Sequence, residues 1–246
     1  IRFWSNHFSV SGSGAQEAIV APTLESEAIR THAFGRFETL LIEAELHPAM
    51  LIFLDNAASV GPNSRAGRRV GRGLNENHAR EILELHTLGV DGGYDQTDVE
   101  AFARILTGWT VGRPRIHTSD ELDQAIFDPR LHEPGAQTLL GRRFSGDGPD
   151  KARGALRYLA EQPQTRRFIS TKLARHFFAD TPLEADIAHI DAAWTASDGD
   201  LKAIARAVLT APSAWDPEPK KFKTPEEFLI SVLRGMDLPA PEARML

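Results

Sequence analysis

The sequence predicts a mainly α protein: an irregular multi-helix domain of about eight helices spanning residues 1–246, with a small β-hairpin insertion within 112–149. Three observations predict it: a helical apolar period over most of the chain, several written-out helix starts, and one stretch where that period vanishes. The chain opens on IRFWSNHF, an apolar and aromatic segment that reads as the middle of an element, so the N-terminus is expected to be truncated. Phe37, Leu40, Leu41 and Ala44 form one helical stripe. His47 precedes Pro48, and Asp55-Asn56 would terminate the helix that begins there. From Asp55 to Gly73 periodicity is lost, and Arg65, Arg68, Arg69 and Arg72 lie among Gly, Ser and Pro. This segment reads as a solvated loop, with phosphate or sulfate binding as the alternative. A helix follows from about 75 to 88 and ends at Gly89. Thr97-Asp98-Val99-Glu100 fits a capping box for the next helix.

Between Gly112 and Pro149 the apolar runs Ala125-Ile126-Phe127 and Thr138-Leu139-Leu140 bracket a turn-rich HEPG and suggest one hairpin. Ile169, Leu173 and Phe177 form a further helical stripe. Asp198-Gly199-Asp200 separates two helices, about 183–196 and 200–210. Thr224-Pro225-Glu226-Glu227 is a capping box with Pro at the first helical position.

Composition narrows the function classes. The chain has 28 Lys and Arg against 34 Asp and Glu, a formal net charge of −6 with the signs well mixed, so no field favours nucleic acid or an anionic membrane. No window has the roughly 18 apolar residues of a membrane span. The absence of Cys excludes disulfides, thiolate catalysis and Cys-type metal ligation.

Several motifs occur in order: FWSNHFSV at 3–10, HPAMLIFLDNAASVGP at 47–62, GLNENHAREILELHTLGVDGGYDQTDV at 73–99, LTGWTV at 106–111, HEPG at 132–135, FISTKLARHFFAD at 168–180 and KFKTP at 221–225. Together they resemble the bacterial family known as domain of unknown function 1800 (DUF1800). The resemblance implies a mainly helical protein, often longer at the N-terminus and often exported, hence periplasmic or extracellular. It also implies a partner of the exported DUF1501 type, whose genes often lie nearby. One departure falls in the longest motif: position 78 is His where relatives more often carry Tyr or another bulky residue, which argues against a direct chemical role for His78.

Candidate chemistry concentrates in the 75–88 helix. A 100° step places Asn77, Glu81 and Glu84 on one stripe beside Arg80, with Ala79, Ile82, Leu83 and His86 opposite. If exposed, the stripe is a set of Glu–Arg pairs. If buried, its two carboxylates would form an acid–base pair or an oxygen-rich site for a divalent metal. His7 is the histidine most suited to join them, because Asn6 or a backbone carbonyl could fix its tautomer. The expected catalytic set is His7, Asn77, Glu81 and Glu84, and the expected metal set is His7, Asp55, Glu81 and Glu84. His86 and His176 read as core histidines. His32, Arg36, His47, Asn56 and His132 are further polar residues within the motifs. No HExxH, GxSxG, Walker or Rossmann pattern is present. The leading expectation is an enzyme with a buried carboxylate–histidine site. The alternative is a non-catalytic scaffold that binds an exported protein.

Overall fold

A computed structural model describes all residues except 13, 14, 71, 72, 113–117, 120–122, 219 and 239–246. Arg72 lies outside the described residues. Twelve helices are present among the described residues, more than the eight expected, because several are too short to show a period. Helix α1 is Arg2–His7. Helix α2 joins Ala15–Thr23, a π-type segment Leu24–Ile29 and Arg30–His32. Helices α3 (Phe37–Glu45) and α4 (Pro48–Phe53) follow, then the short α5 (Gly67–Val70). Helix α6 runs from Asn77–Glu81 into a second π-type segment, Ile82–Thr87. The rest are α7 (Gln96–Leu106), α8 (Asp150–Ala160), α9 (Pro163–Phe177), α10 (Glu184–Ser197), α11 (Leu201–Thr210) and α12 (Pro225–Gly235).

Local chemistry explains most boundaries. His47 caps α4 by accepting the Ala49 N–H on its Nδ1 at 3.2 Å, while Pro48 occupies the first helical position, where no N–H is needed. The capping box of α7 is Asp95 with Asp98, two residues earlier than Thr97-Glu100. The Asp95 carboxylate is the better acceptor for the orphan N–H groups and displaces Thr97 from the cap. At α12 the Thr224–Glu227 box forms as expected. Asp198 adopts the left-handed conformation that ends α10, and Asp200 caps α11 through the Ala203 N–H at 2.7 Å.

Among the described residues, Trp109 to Phe144 form two small antiparallel sheets instead of the one hairpin expected within 112–149. The expected runs do not pair with each other. Strand β2 (Ala125–Phe127) pairs with β1 (Trp109–Val111), and β3 (Gln137–Leu139) pairs with β4 (Arg142–Phe144). The reason lies at Leu140-Gly141, whose φ values of 47° and 73° make the two-residue turn that right-handed strand twist favours. That turn obliges β3 to fold onto β4. The Leu140 N–H donates to Asp98 at 2.7 Å, which anchors the turn to the start of α7.

The core joins α1, α3, α4, α6 and α7 to α8–α11 through Phe8, Phe37, Leu40, Leu41, Met50, Ile82, Phe102, Leu156 and Ile169, all essentially inaccessible. Of the second expected apolar stripe, Ile169 and Leu173 are buried but Phe177 is 51% exposed, because α9 ends there and the chain turns away.

Candidate functional site

Glu45 ends α3 among apolar neighbours and is wholly inaccessible. A carboxylate at a helix C-terminus faces the negative end of the macrodipole, so something must offset both that and its desolvation. Two histidines of α6 do so. His78 Nε2 lies 3.1 Å from Glu45 Oε2, and His86 Nδ1 lies 2.7 Å from Glu45 Oε1, close but off the line of a well-aligned hydrogen bond. Burial pushes the Glu45 carboxyl up, yet the adjacent His86 and His78 outweigh it and hold the group at about 2.

The π-type segment makes this grip possible. Residues eight apart on an α-helix differ by about 80°, too far to share one partner. A π-type turn absorbs one extra residue. His86 thereby takes the angular place that a residue seven from His78 would hold. The wide turn is visible in the Leu88 N–H bond to the Leu83 carbonyl at 3.0 Å, and in Thr87 Oγ1 donating to the Ile82 carbonyl at 2.6 Å.

From Glu45 the polar chain continues outward. His7 Nε2–H donates to the His86 carbonyl at 3.1 Å, which leaves Nδ1 as the acceptor. Lys172 Nζ of α9 sits 2.8 Å from that Nδ1 and 3.3 Å from the Leu85 carbonyl. Phe3, Trp4 and Phe8 wall the His7 ring, with centroids 5.9, 5.6 and 4.5 Å away. Burial first, then the Lys172 charge and His86, press the His7 pKa well below its ordinary value. Burial likewise lowers the Lys172 ammonium to about 8. No carboxylate pairs with Lys172 among the described residues, so no opposite charge offsets that lowering.

Lys172 and His7 line a cavity of about 320 Å³ with Phe3, Arg175, Lys221 and Phe222. Arg175 has no carboxylate partner among the described residues, whereas Lys221 shares Glu227 at 3.0 Å. Asp180, also in the lining, accepts the Phe222 N–H at 3.0 Å and fixes that wall. His176, whose pKa burial lowers, faces the same space.

The residues of the sequence-derived set lie in different environments. His7 is buried, but Asn77 and Asp55 are exposed and Glu81 and Glu84 are half-buried, with no ion pair to either glutamate among the described residues. Two physical reasons account for this. Glu84 falls inside the π-type segment, where the 100° step fails, and Asp55 adopts φ 60° to turn the chain after α4. Among the described residues no group of three His, Cys, Asp or Glu has a geometry that could hold a metal ion. Of the other polar residues, Asn56 Nδ2 donates to the Leu106 and Trp109 carbonyls at 3.3 and 2.9 Å, and Arg36 pairs with Asp198 at 2.5 Å. His32 is half-buried at the end of α2. Sequence reasoning missed Glu45 and Lys172. An ionisable residue at the end of each apolar stripe, in LLIEAE and ISTKLA, was the available signal.

The buried ionisable groups set a pH response. An unfolded histidine takes up a proton near 6.5, whereas folded His7 resists it until a lower pH, so its stabilisation is lost as the pH falls below about 6.5. Glu45 acts in the same direction lower down, between its ordinary 4.5 and about 2. The thermal midpoint is therefore expected to fall steadily from pH 6.5 to 5, and His7→Phe should flatten that limb. A wild-type melt indifferent to pH over that range would contradict a neutral, buried His7.

Fold and site together define a mainly helical protein with a buried carboxylate–histidine network opening on a basic cavity. Over residues 1–246 the chain matches the family described as "Protein of unknown function (DUF1800)". It belongs to that family. No curated protein and no solved structure matches the chain. No helix among the described residues is long and apolar enough to cross a membrane.

Proposed function

We propose that the chain is an enzyme that performs acid–base chemistry on a small anionic substrate at the His7–Lys172 pair. One observation carries the reading. A lysine without a carboxylate partner among the described residues lies 2.8 Å from a buried imidazole nitrogen, and both face a cavity. An amine with a pKa of about 8 exchanges a proton readily near neutrality, which suits a general base. The Arg175 guanidinium supplies the charge that would hold a carboxylate or phosphate. Glu45, His78 and His86 position the carbonyl that orients His7. Of the sequence-derived set only His7 enters this reading, and no divalent metal is invoked.

The test is a thermal-shift panel of small carboxylates and phosphate esters. A true ligand at a hundred times its Kd adds about 2.7 kcal/mol, or roughly 5–10 °C for a chain of this size. The shift should disappear in Lys172→Met and shrink in Arg175→Gln. Equal shifts in wild type and Lys172→Met would sink the reading.

A second reading is a non-catalytic scaffold for a partner of the exported DUF1501 type. Its support is the exposure of Trp215 (81%), Phe222 (85%) and Phe228 (61%) near the C-terminal end. It gains if the panel is silent on every protein tested.

A further inference from the structure

We infer that Lys172 is a covalent nucleophile that forms an imine with a small anionic carbonyl compound, an aldehyde or ketone bearing a carboxylate. This rests on the acid–base reading above and specifies its substrate class. Nζ has a fixed set of valences to fill. Two protein acceptors face it, the His7 Nδ1 at 2.8 Å and the Leu85 carbonyl at 3.3 Å. Neither carries a negative charge, because His7 donates its only ring proton to the His86 carbonyl and is neutral. A neutral amine has two N–H bonds, which these acceptors occupy, and one lone pair, which remains for the cavity that Lys172 lines. An ammonium would direct a third N–H into the cavity in place of that lone pair. The surroundings thus make the free amine easier to reach than at an ordinary lysine and aim its lone pair at the cavity.

The same cavity selects the electrophile. Arg175 and Lys221 border it, and Lys221 already shares Glu227 while Arg175 is unshared among the described residues. A carboxylate held at Arg175 would bring an adjacent carbonyl within reach of Nζ, since residues three apart on α9 are neighbours. The Nζ lone pair attacks the carbonyl carbon, and the C=O π pair moves to oxygen. One N–H proton passes to solvent and the oxygen takes up a proton, which gives the carbinolamine. A second proton on that hydroxyl lets it leave as water while the nitrogen lone pair forms C=N, and the remaining N–H proton passes to solvent. One water is released, and no oxidant or reductant is consumed.

Lowered basicity raises the supply of free amine. At pH 7 a lysine with a pKa of about 8 is free base in roughly one molecule in ten, against about 0.04% for an ordinary lysine.

The probe is glyoxylate with cyanoborohydride, which reduces any imine to a stable carboxymethyl-amine, followed by peptide mapping of the intact chain. Lys172 should be labelled about tenfold or more faster than Lys151, Lys202, Lys220, Lys221 or Lys223. Its rate should rise with pH through an inflection near 8. Glycolaldehyde, of similar size but uncharged, should label it more slowly, and Arg175→Gln should remove that preference. Lys172→Arg, checked for an unchanged melt, should abolish the fast label. Even labelling of all lysines, or an inflection at the ordinary lysine value, overturns the proposal. If glyoxylate raises the melting temperature through Lys172 but no label is trapped, the imine fails and the acid–base reading stands. If glyoxylate does neither and the anion panel is also silent, both fail.

Discussion

Replacing Glu45 with Ala should lower stability by about 3–5 kcal/mol, the usual result of removing one partner from a buried ion pair. For a chain of this length that is a fall of roughly 6–20 °C in the thermal midpoint. The size follows from the geometry. The carboxylate has no accessible surface, and two imidazoles converge on it at 3.1 and 2.7 Å. Truncation leaves both rings buried without their shared acceptor, and His78 Nδ1 already has no partner among the described residues. Glu45→Gln keeps one acceptor for His78 but loses the charge, so it should fall between Ala and wild type. Replacing Glu45, His78 and His86 together with Leu should recover much of the loss, since apolar residues of similar volume often substitute for a buried pair at little cost. A Glu45→Ala protein melting within about 2 °C of wild type would mean that the network does not hold α3 to α6.

This network also shows where the sequence is readable and where it is not. The stripe Phe37, Leu40, Leu41, Ala44 announces α3 and its buried face, because one unbroken α-helix has one phase. Glu45 is adjacent to that face, but its partners lie 33 and 41 residues away, and no local pattern joins them. The 75–88 helix is legible as a helix, yet its internal phase is not. The π-type segment shifts everything after Glu81, which separates Glu84 from the Asn77 stripe and brings His86 under His78. His7 is legible because Trp4 and Asn6, a residue able to fix its tautomer, lie beside it in the sequence, whereas Lys172 becomes unusual only when α9 lays it against α1. The β-region failed similarly: the runs at 125–127 and 138–140 are strands, but a turn with two positive φ angles at Leu140-Gly141 decides the pairing. Leu is a residue that seldom signals such a turn.

Glu133→Ala should release the loop before α5 and cost about 3 kcal/mol, from two charge-assisted hydrogen bonds at roughly 1.5–3 kcal/mol each, offset in part by water entering. The sequence reads residues 55–73 as a solvated arginine-rich loop. The structure ties its described part to the HEPG segment. Glu133, 3% exposed, accepts the Asn63 N–H on Oε2 at 2.8 Å and the Asn63 side-chain amide on Oε1 at 2.6 Å. On either side, the Gly61 N–H donates to the Leu131 carbonyl and the Ala66 N–H to the Arg130 carbonyl, both at 2.9 Å. The approach is so close that a Cβ on Gly61 would lie 2.6 Å from the Glu133 Cα, so only glycine fits there. Arg65 within the clamp and Arg68 and Arg69 just after it are exposed and present trypsin sites on a backbone that is held folded. If cleavage requires the clamp to open, a loss of about 3 kcal/mol raises the open population, and with it the initial cleavage rate, about a hundredfold. Glu133→Gln retains the acceptor for the Asn63 N–H and should show a much smaller increase. Equal trypsin rates in wild type and Glu133→Ala would mean that the arginines are cut from an already open loop and that the clamp does not govern it.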